Sequence, residues 1–257
     1  KDIDLIILAT TTPDLTFPAT AVKVQKNLSA NAIAFDVQAV CAGFVYALSV
    51  AVSMLKDGFG KKCLVIGADS MSKILDWNDR TTSVLFGDGA GAVLLEKVKT
   101  DDFNQYNWGI LSNVIHTDGK CYDILSTDGG VSLSQSSGHI KMKGKDVFKH
   151  AVEKLSSSFI EALNKTELNI NDIDWLIPHQ ANQRIINAVG EKLGINKSKV
   201  VSTVSQHGNT SAASIPLALD YAINKKIVKN GDHLGFQAIG GGLSWGSSVV
   251  KFGKPIK

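Results

Sequence analysis

The chain has 257 residues, of which 44% are hydrophobic and 20% charged, and it carries a formal net charge of +3. That length can bury a sizeable core, either as one large domain or as two closely packed halves. The weak, scattered positive charge gives no ground for a nucleic-acid partner, and no apolar run reaches membrane-spanning length.

Apolar runs of strand length alternate with amphipathic stretches, the pattern of a layered α/β protein. Asp4 to Thr10 reads as a buried strand, and Pro18 to Leu28 as a helix with proline in its first turn. Ala32 to Val37 is expected as a second strand. A long apolar helix follows from Ala42 to Lys56, closed by Asp57-Gly58. Lys62 to Ala68 and Gly91 to Val98 supply two more strands.

The second half runs through the same order. Asp2-Ile3-Asp4 recurs as Asp172-Ile173-Asp174. At that same separation the helix from Cys41 onward falls on Ser211 onward, and Leu64-Val65-Ile66 falls on Leu234-Gly235-Phe236. The closing runs Ala90 to Glu96 and Ser247 to Phe252 also correspond, so the chain reads as an internal duplication. Residues 1–100 and 101–257 are expected to form the two halves. A strand near Gly109 to Ile115 and a helix near Asp146 to Leu163 precede the Asp174 strand, whereas nothing comparable precedes Asp4. By symmetry a leading strand and helix are expected to be missing, as is an initiator Met.

Cys41, Cys63 and Cys121 stand far apart, with no zinc-like spacing, which fits a reducing compartment and a cytoplasmic location. In open α/β sheets ligands sit beyond the C-terminal ends of strands. Three residues fall at such places: Cys41 opening a helix, His179 opening another, and Asn209 just before the helix equivalent to that of Cys41. A thiol at a helix N-terminus is expected to favour thiolate. An imidazole and a carboxamide can polarise one thioester carbonyl, stabilising an enolate formed as carbon dioxide leaves. Each signal has a plain alternative: Cys63 and Cys121 read as small core residues, Asn209 as a helix cap, and the other five histidines as surface or structural groups.

Five motifs occur in order: Val40-Cys41-Ala42-Gly43-Phe44, Phe86-Gly87-Asp88-Gly89-Ala90-Gly91, Pro178-His179-Gln180-Ala181-Asn182, His207-Gly208-Asn209-Thr210-Ser211, and Gly240-Gly241-Gly242-Leu243-Ser244-Trp245-Gly246. From about Asp4 to Phe252 the chain resembles the β-ketoacyl-[acyl-carrier-protein] synthase III family, initiating condensing enzymes of type II fatty acid synthesis in the thiolase superfamily. It departs from the family's habit at Val40, commonly alanine, and at Gln206, commonly basic.

The resemblance implies an α/β, thiolase-like, five-layered αβαβα fold of two duplicated halves, and a homodimer. It implies that Cys41 takes an acyl group, typically acetyl, from acyl-coenzyme A. Malonyl-[acyl-carrier-protein] then loses carbon dioxide beside His179 and Asn209, and the carbanion attacks the acyl group to give a 3-oxoacyl product. The backbone N–H groups of Cys41 and Gly241 are implied as the oxyanion hole. Phe17, Arg80, Phe148 and Asn182 are implied to contact substrate. Gln180, Ala181, Asn182, Gln183 and Arg184, with Lys149 and Lys192, are implied to meet the acyl carrier protein. No metal or resident cofactor is implied, acyl-coenzyme A being a substrate, and no membrane.

Rival readings are a cysteine peptidase, in which asparagine should contact the imidazole, an inactive truncated fragment that keeps only the fold, and a related polyketide-type condensing enzyme. Elongating relatives use two histidines, so His179 with Asn209 favours the initiating type.

Overall fold

A computed structural model of the chain describes residues 2–98 and 108–253. The apolar run Leu-Ile-Ile-Leu-Ala forms β1 (Leu5–Ala9), buried along its whole length, as a strand covered on both faces must be. β1 pairs in parallel with β2 (Ile33–Val37) and β3 (Lys62–Ser70), and β3 pairs antiparallel with β4 (Asp88–Glu96), giving the order β2-β1-β3-β4. Helix α1 (Thr20–Leu28) starts two residues after Pro18. Its first amides are held by Asp36 on β2, whose carboxylate oxygens accept from Thr20 N at 2.7 Å and Ala21 N at 2.8 Å. An anion at a helix N-terminus satisfies donors that have no intrahelical partner.

Helix α2 (Gly43–Lys56) is apolar on most of its circumference because it is enclosed. It ends as the Asp57-Gly58 pair predicts: Gly58 adopts φ +90°, its N–H reaches Leu55 O, and Phe59 N reaches Met54 O at 3.1 Å. The second sheet has the order β5-β10-β9-β8, from β5 (Gly109–Thr117), β8 (Trp175–Pro178), β9 (His233–Gly240) and β10 (Ser244–Lys251). Here β8 runs parallel to β9, and β10 runs antiparallel to both its neighbours. Between β5 and β8 come the small hairpin of β6 (Leu125–Thr127) and β7 (Ile140–Met142), the short helix α3 (Val131–Ser134) and the long helix α4 (Gly144–Asn164). Helices α5 (Gln183–Lys192), α6 (Val204–His207) and α7 (Ser214–Asn224) follow β8.

These elements stack in five layers. α1 covers the outer face of the first sheet through Ala21 against Ile6, Leu8 and Ile66. The central layer is α2 beside α7, and its core joins Phe44, Leu48, Ile215 and Leu219 to Leu5, Val65, Leu234 and Phe236 of the two sheets. The outer face of the second sheet is closed by α4 and α5, with Leu155, Phe159, Ile185 and Val189 against Leu176 and Val249. Full burial of a side chain such as Phe44 or Leu48 contributes about 2–3 kcal/mol, so the central pair is the energetic keystone of the sandwich. Among the described residues no helix is long and apolar enough to cross a membrane.

The two sheets repeat one another, with a register that corrects the sequence alignment. Asp4 and Asp174 are equivalent: Asp4 N donates to Lys62 O and Asp174 N to His233 O, each at 2.9 Å. Beyond them the halves slip by one position. Leu5 pairs with Cys63 where Trp175 pairs with Leu234, so Cys63, not Leu64, answers to Leu234. The turn ahead of α2 is a 3-10 turn at Val40–Ala42, and that ahead of α7 one at Ser211–Ala213. Both begin on a left-handed residue, Val40 at φ +47° and Ser211 at φ +51°. The counterpart of Cys41 is therefore Ala212 rather than Ser211. A single extra residue in the intervening connection moves everything after it, and the few identities could not register this.

The glycines of Gly87-Asp88-Gly89-Ala90-Gly91 lie at alternate positions, on one face of β4 and the residue before it. Added Cβ atoms there would strike His207 O, Leu217 with Thr210, and Pro216, respectively. The stripe lets the first sheet lie directly against the backbone leading into α7, and Gly87 N donates to Asn209 O at 2.9 Å while Asn209 N donates to Leu85 O at 2.8 Å. Gly87→Ala is expected to lose about 1–3 kcal/mol, read as a lower urea midpoint. The same substitution should displace Asn209, because the backbone it pushes carries that residue.

Candidate active site

Cys41 sits in the middle of the Val40–Ala42 turn, two residues before α2 begins at Gly43. The preceding Val40 is β-branched yet left-handed, an uncommon and strained conformation of the kind found beside functional groups. His179 does not open a helix as expected. It lies in the bend after β8, its N–H donating to Gln237 O at 2.6 Å, and α5 starts only at Gln183 with Asn182 as its cap. Asn209 precedes the Ser211–Ala213 turn, with its backbone clamped by Leu85 and Gly87. All three residues are buried.

The three side chains meet around one short segment, Ser211 to Ser214. The Ser211 hydroxyl lies against the Cys41 thiol, although it makes no bond of strict geometry with any group. Ser211 N donates to Asn209 Oδ1 at 2.9 Å. Ser214 Oγ stands 2.6 Å from His179 Nδ1 and donates to Ser211 O at 2.9 Å. With Oδ1 of Asn209 held as an acceptor, its Nδ2 remains to donate. The imidazole meets Ser214 and not Asn209, which is contrary to the peptidase arrangement.

Electrostatics correct the expectation of a thiolate. Burial pushes the Cys41 thiol up to about 12; the Ser211 hydroxyl opposes this and the Asp69 carboxylate reinforces it. Loss of water outweighs whatever the turn's backbone donors offer. Burial also pushes His179 down to about 3, so its imidazole is neutral near pH 7. Ser214 then has a single hydroxyl proton for two acceptors. Directed at Nδ1, it leaves the imidazole proton on Nε2; directed at Ser211 O, it leaves the proton on Nδ1.

Cys41 opens on a cavity of about 310 Å³ with apolar walls that include Met71, Ile74, Phe86, Leu125 and Ile140. Gly241 lines the same cavity, and Gly240 is packed so closely on Cys41 N that a Cβ there would lie 2.6 Å from it. A second cavity, of about 440 Å³, brings together Phe148, Asn182, Gln183 and Arg184, with the Arg184 guanidinium 5.6 Å from the centre of the Phe148 ring. Arg80 is exposed, and Phe17 is 82% exposed. Lys149 on α4 and Arg184 and Lys192 on α5 are exposed on two helices that pack together. Gln180 corrects an expectation: it is buried, donating to Pro178 O at 2.7 Å and accepting from Thr203 N at 2.7 Å, so it cannot face a docking protein. Ala181 beside it is half-buried.

Sequence reasoning missed Ser211, Ser214 and Asp69. The serines stand within five residues of Asn209, and Asp69 lies near the C-terminal end of β3, where the strand-end rule could have found it. If the half-reactions implied by the resemblance run here, Ser214→Ala is expected to slow malonyl decarboxylation about tenfold, the worth of one ordinary hydrogen bond. Acyl transfer to Cys41 should change little, as separate assays of the two half-reactions will reveal.

Residues 35–119 match the family model described as 3-oxoacyl-[acyl-carrier-protein (ACP)] synthase III, and residues 163–252 match the model of its C-terminal part. A β-ketoacyl-[acyl-carrier-protein] synthase III of Erythrobacter litoralis is 54% identical over 253 residues, which cover 98% of this chain and 78% of that protein. The crystal structure of 3-oxoacyl-[acyl-carrier-protein] synthase III from Aquifex aeolicus is 45% identical with a TM-score of 0.90, covering 97% of this chain and 77% of that one. The priming β-ketosynthase of the R1128 polyketide pathway is also similar, at 33% identity and a TM-score of 0.89, covering 99% and 76%. Extent, identity and fold agree, and the chain belongs to the 3-oxoacyl-[acyl-carrier-protein] synthase III family.

Proposed function

We propose that the initiating condensation of fatty acid synthesis, the activity of this family, runs in this chain on Cys41, His179 and Asn209. The observation that carries the reading is that Asn209 and His179 are both hydrogen-bonded to the Ser211–Ser214 segment, with the Cys41 thiol beside it. Cys41 takes the acyl group from acyl-coenzyme A, and the apolar cavity beyond the thiol receives the chain. The N–H groups of Cys41 and Gly241 hold the oxyanion of acyl transfer. Malonyl-[acyl-carrier-protein] then delivers its thioester oxygen to His179 Nε2–H and Asn209 Nδ2–H. Ser214 donates to Nδ1 in this step and so keeps the imidazole proton on Nε2.

A neutral imidazole suits this task, because a donor that is uncharged at rest adds no buried charge of its own. As carbon dioxide leaves, charge accumulates on the thioester oxygen and both hydrogen bonds strengthen. The carbanion attacks the acyl-Cys41 carbonyl and gives the 3-oxoacyl product. The cavity between Phe148 and Asn182 is the approach for the pantetheine arm, with Arg80 nearer the nucleotide. Lys149, Arg184 and Lys192 are the cations offered to an acidic carrier protein, and Gln183 borders them.

A homodimer is part of this reading. The exposed Phe17 is an apolar group with no cover in the single chain, and a second copy would supply that cover. The division into halves at residues 100 and 101 is likewise a proposal, since that boundary lies outside the described residues. The test is intact-protein mass after incubation with acetyl-, isobutyryl- and longer acyl-coenzyme A: one acyl increment, mapped to the Cys41 peptide, is expected. Acylation elsewhere would refute the assignment.

A further inference from the structure

Acyl transfer requires the Cys41 proton to leave a buried thiol, and the site described above names no acceptor for it. Asp69 is a buried carboxylate that this chemistry leaves unused. Its Oδ1 accepts from Thr11 N at 2.7 Å and from Thr10 Oγ1, Thr12 N and Thr12 Oγ1 at 3.2 Å each. Its Oδ2 accepts from Ala212 N at 3.1 Å, which sets the neighbouring Ser211 beside it. Oδ1 is therefore saturated, while Oδ2 keeps a lone pair. The Ser211 hydroxyl is buried and has no hydrogen-bond partner, and the Cys41 thiol and the Asp69 carboxylate, whose Oδ2 is held on the next backbone amide, are the titratable groups it influences.

We infer that Ser211 relays the Cys41 proton to Asp69 during acyl transfer. The inference rests on Cys41 being the nucleophile. The S–H bond breaks as its proton passes to Ser211 Oγ, while the original hydroxyl proton passes to Asp69 Oδ2. The thiolate attacks the acyl carbonyl, and coenzyme A leaves as thiolate. That thiolate takes the proton back along the same path, so Asp69 is again a carboxylate and the thioester exchange balances.

Charge counting favours this route over His179. Moving the proton from Cys41 to Asp69 keeps one anion in the buried site before and after. Moving it to His179 leaves Asp69 ionised and creates a thiolate and an imidazolium beside it, so the number of buried charges grows from one to three. Burial opposes ionisation of Asp69, against the pull of its hydrogen bonds, which makes it a better base than an ordinary aspartate. The same burial makes His179 a poor one. Of the elements meeting here, β3 contributes Asp69 and the turn before α2 contributes Cys41. The Thr10–Thr12 and Ser211–Ala213 turns contribute hydroxyl and backbone groups, with His179 beyond Ser214.

The test compares Asp69→Asn, Ser211→Ala and Cys41→Ser with the wild type. Three rates are read: self-acylation by acetyl-coenzyme A, iodoacetamide alkylation of Cys41 against pH, and decarboxylation of malonyl-[acyl-carrier-protein]. Asp69→Asn and Ser211→Ala should each slow acylation and alkylation near pH 7 by about 10²-fold, the usual worth of a general base. Both should recover toward pH 10, where hydroxide serves instead, and in each variant decarboxylation should lose clearly less than acylation. A spectator Asp69 predicts the opposite, because removing a nearby negative charge eases thiol ionisation. Faster alkylation in Asp69→Asn, an unchanged Ser211→Ala, or equal loss in both half-reactions overturns the relay. If Asp69→Asn does not give a cooperative melt, Ser211→Ala decides alone, since it leaves the bonds to Asp69 from Thr10, Thr11, Thr12 and Ala212 in place. Acylated Cys41→Ser would instead refute the nucleophile itself.

Discussion

Cys41→Ser abolishes self-acylation: intact mass gains no acetyl increment on incubation with acetyl-coenzyme A, and the initial rate falls by at least about 10³-fold. An alcohol holds its proton far more tightly than a thiol, and this site is enclosed enough to push even the thiol up to about 12. The substitution keeps the shape of the side chain and touches none of the packing of α2, whose buried contacts run from Phe44 to Leu55. The variant therefore keeps the wild-type melting temperature within a few degrees, and the loss belongs to chemistry alone. Wild-type labelling of Cys41→Ser would remove the basis of the mechanism.

His179→Ala divides the two half-reactions. Decarboxylation falls by about 10²–10³-fold, the cost of removing one donor from a developing oxyanion. Self-acylation stays near the wild-type rate, because the imidazole is not asked to take the thiol proton. Equal loss of both would contradict the role given to it. Since burial holds His179 down to about 3, the wild-type decarboxylation rate should run level through the ordinary imidazole range near 6.5.

Stability carries the same signature, and its sign can be stated. The unfolded chain binds a proton at His179 below about 6.5, whereas the native chain binds none until about 3. Stability contributed by the neutral imidazole is thus full above the unfolded value and is lost as pH falls through that window. The urea midpoint of the wild type should drop between pH 7 and pH 4.5, and that of His179→Ala should drop less.

Much of the fold was legible because burial writes itself into residue type. The run Leu5–Ala9 is apolar throughout, since both its faces are covered, and α2 is apolar around most of its surface for the same reason. The Asp57-Gly58 stop was equally plain, because only a residue tolerant of positive φ closes a helix in that way. Helix starts were less legible. α1 begins after Pro18 because its cap is Asp36, sixteen positions away on β2, and no local pattern carries that information.

The duplication was visible in outline but misregistered by one residue at the catalytic turns. Few identities link the halves, whereas pairing of Leu5 with Cys63 and of Trp175 with Leu234 fixes the alignment through hydrogen bonds. Gln180 shows a similar limit. The resemblance set it against the carrier protein, yet its amide is spent on Pro178 O and Thr203 N in the interior.

The sequence by itself determined the layered α/β class, the doubling of the chain, and the candidates Cys41, His179 and Asn209, because side-chain chemistry and periodicity are local properties. Only the tertiary structure decided the burial of the thiol and imidazole, the pairing of His179 with Ser214, and the presence of Asp69 beside Cys41. Those depend on how much water is excluded and on which atoms lie within about 3 Å of one another. Such proximities are created when segments more than a hundred residues apart close over the same turn, as Asp69 does on Ala212.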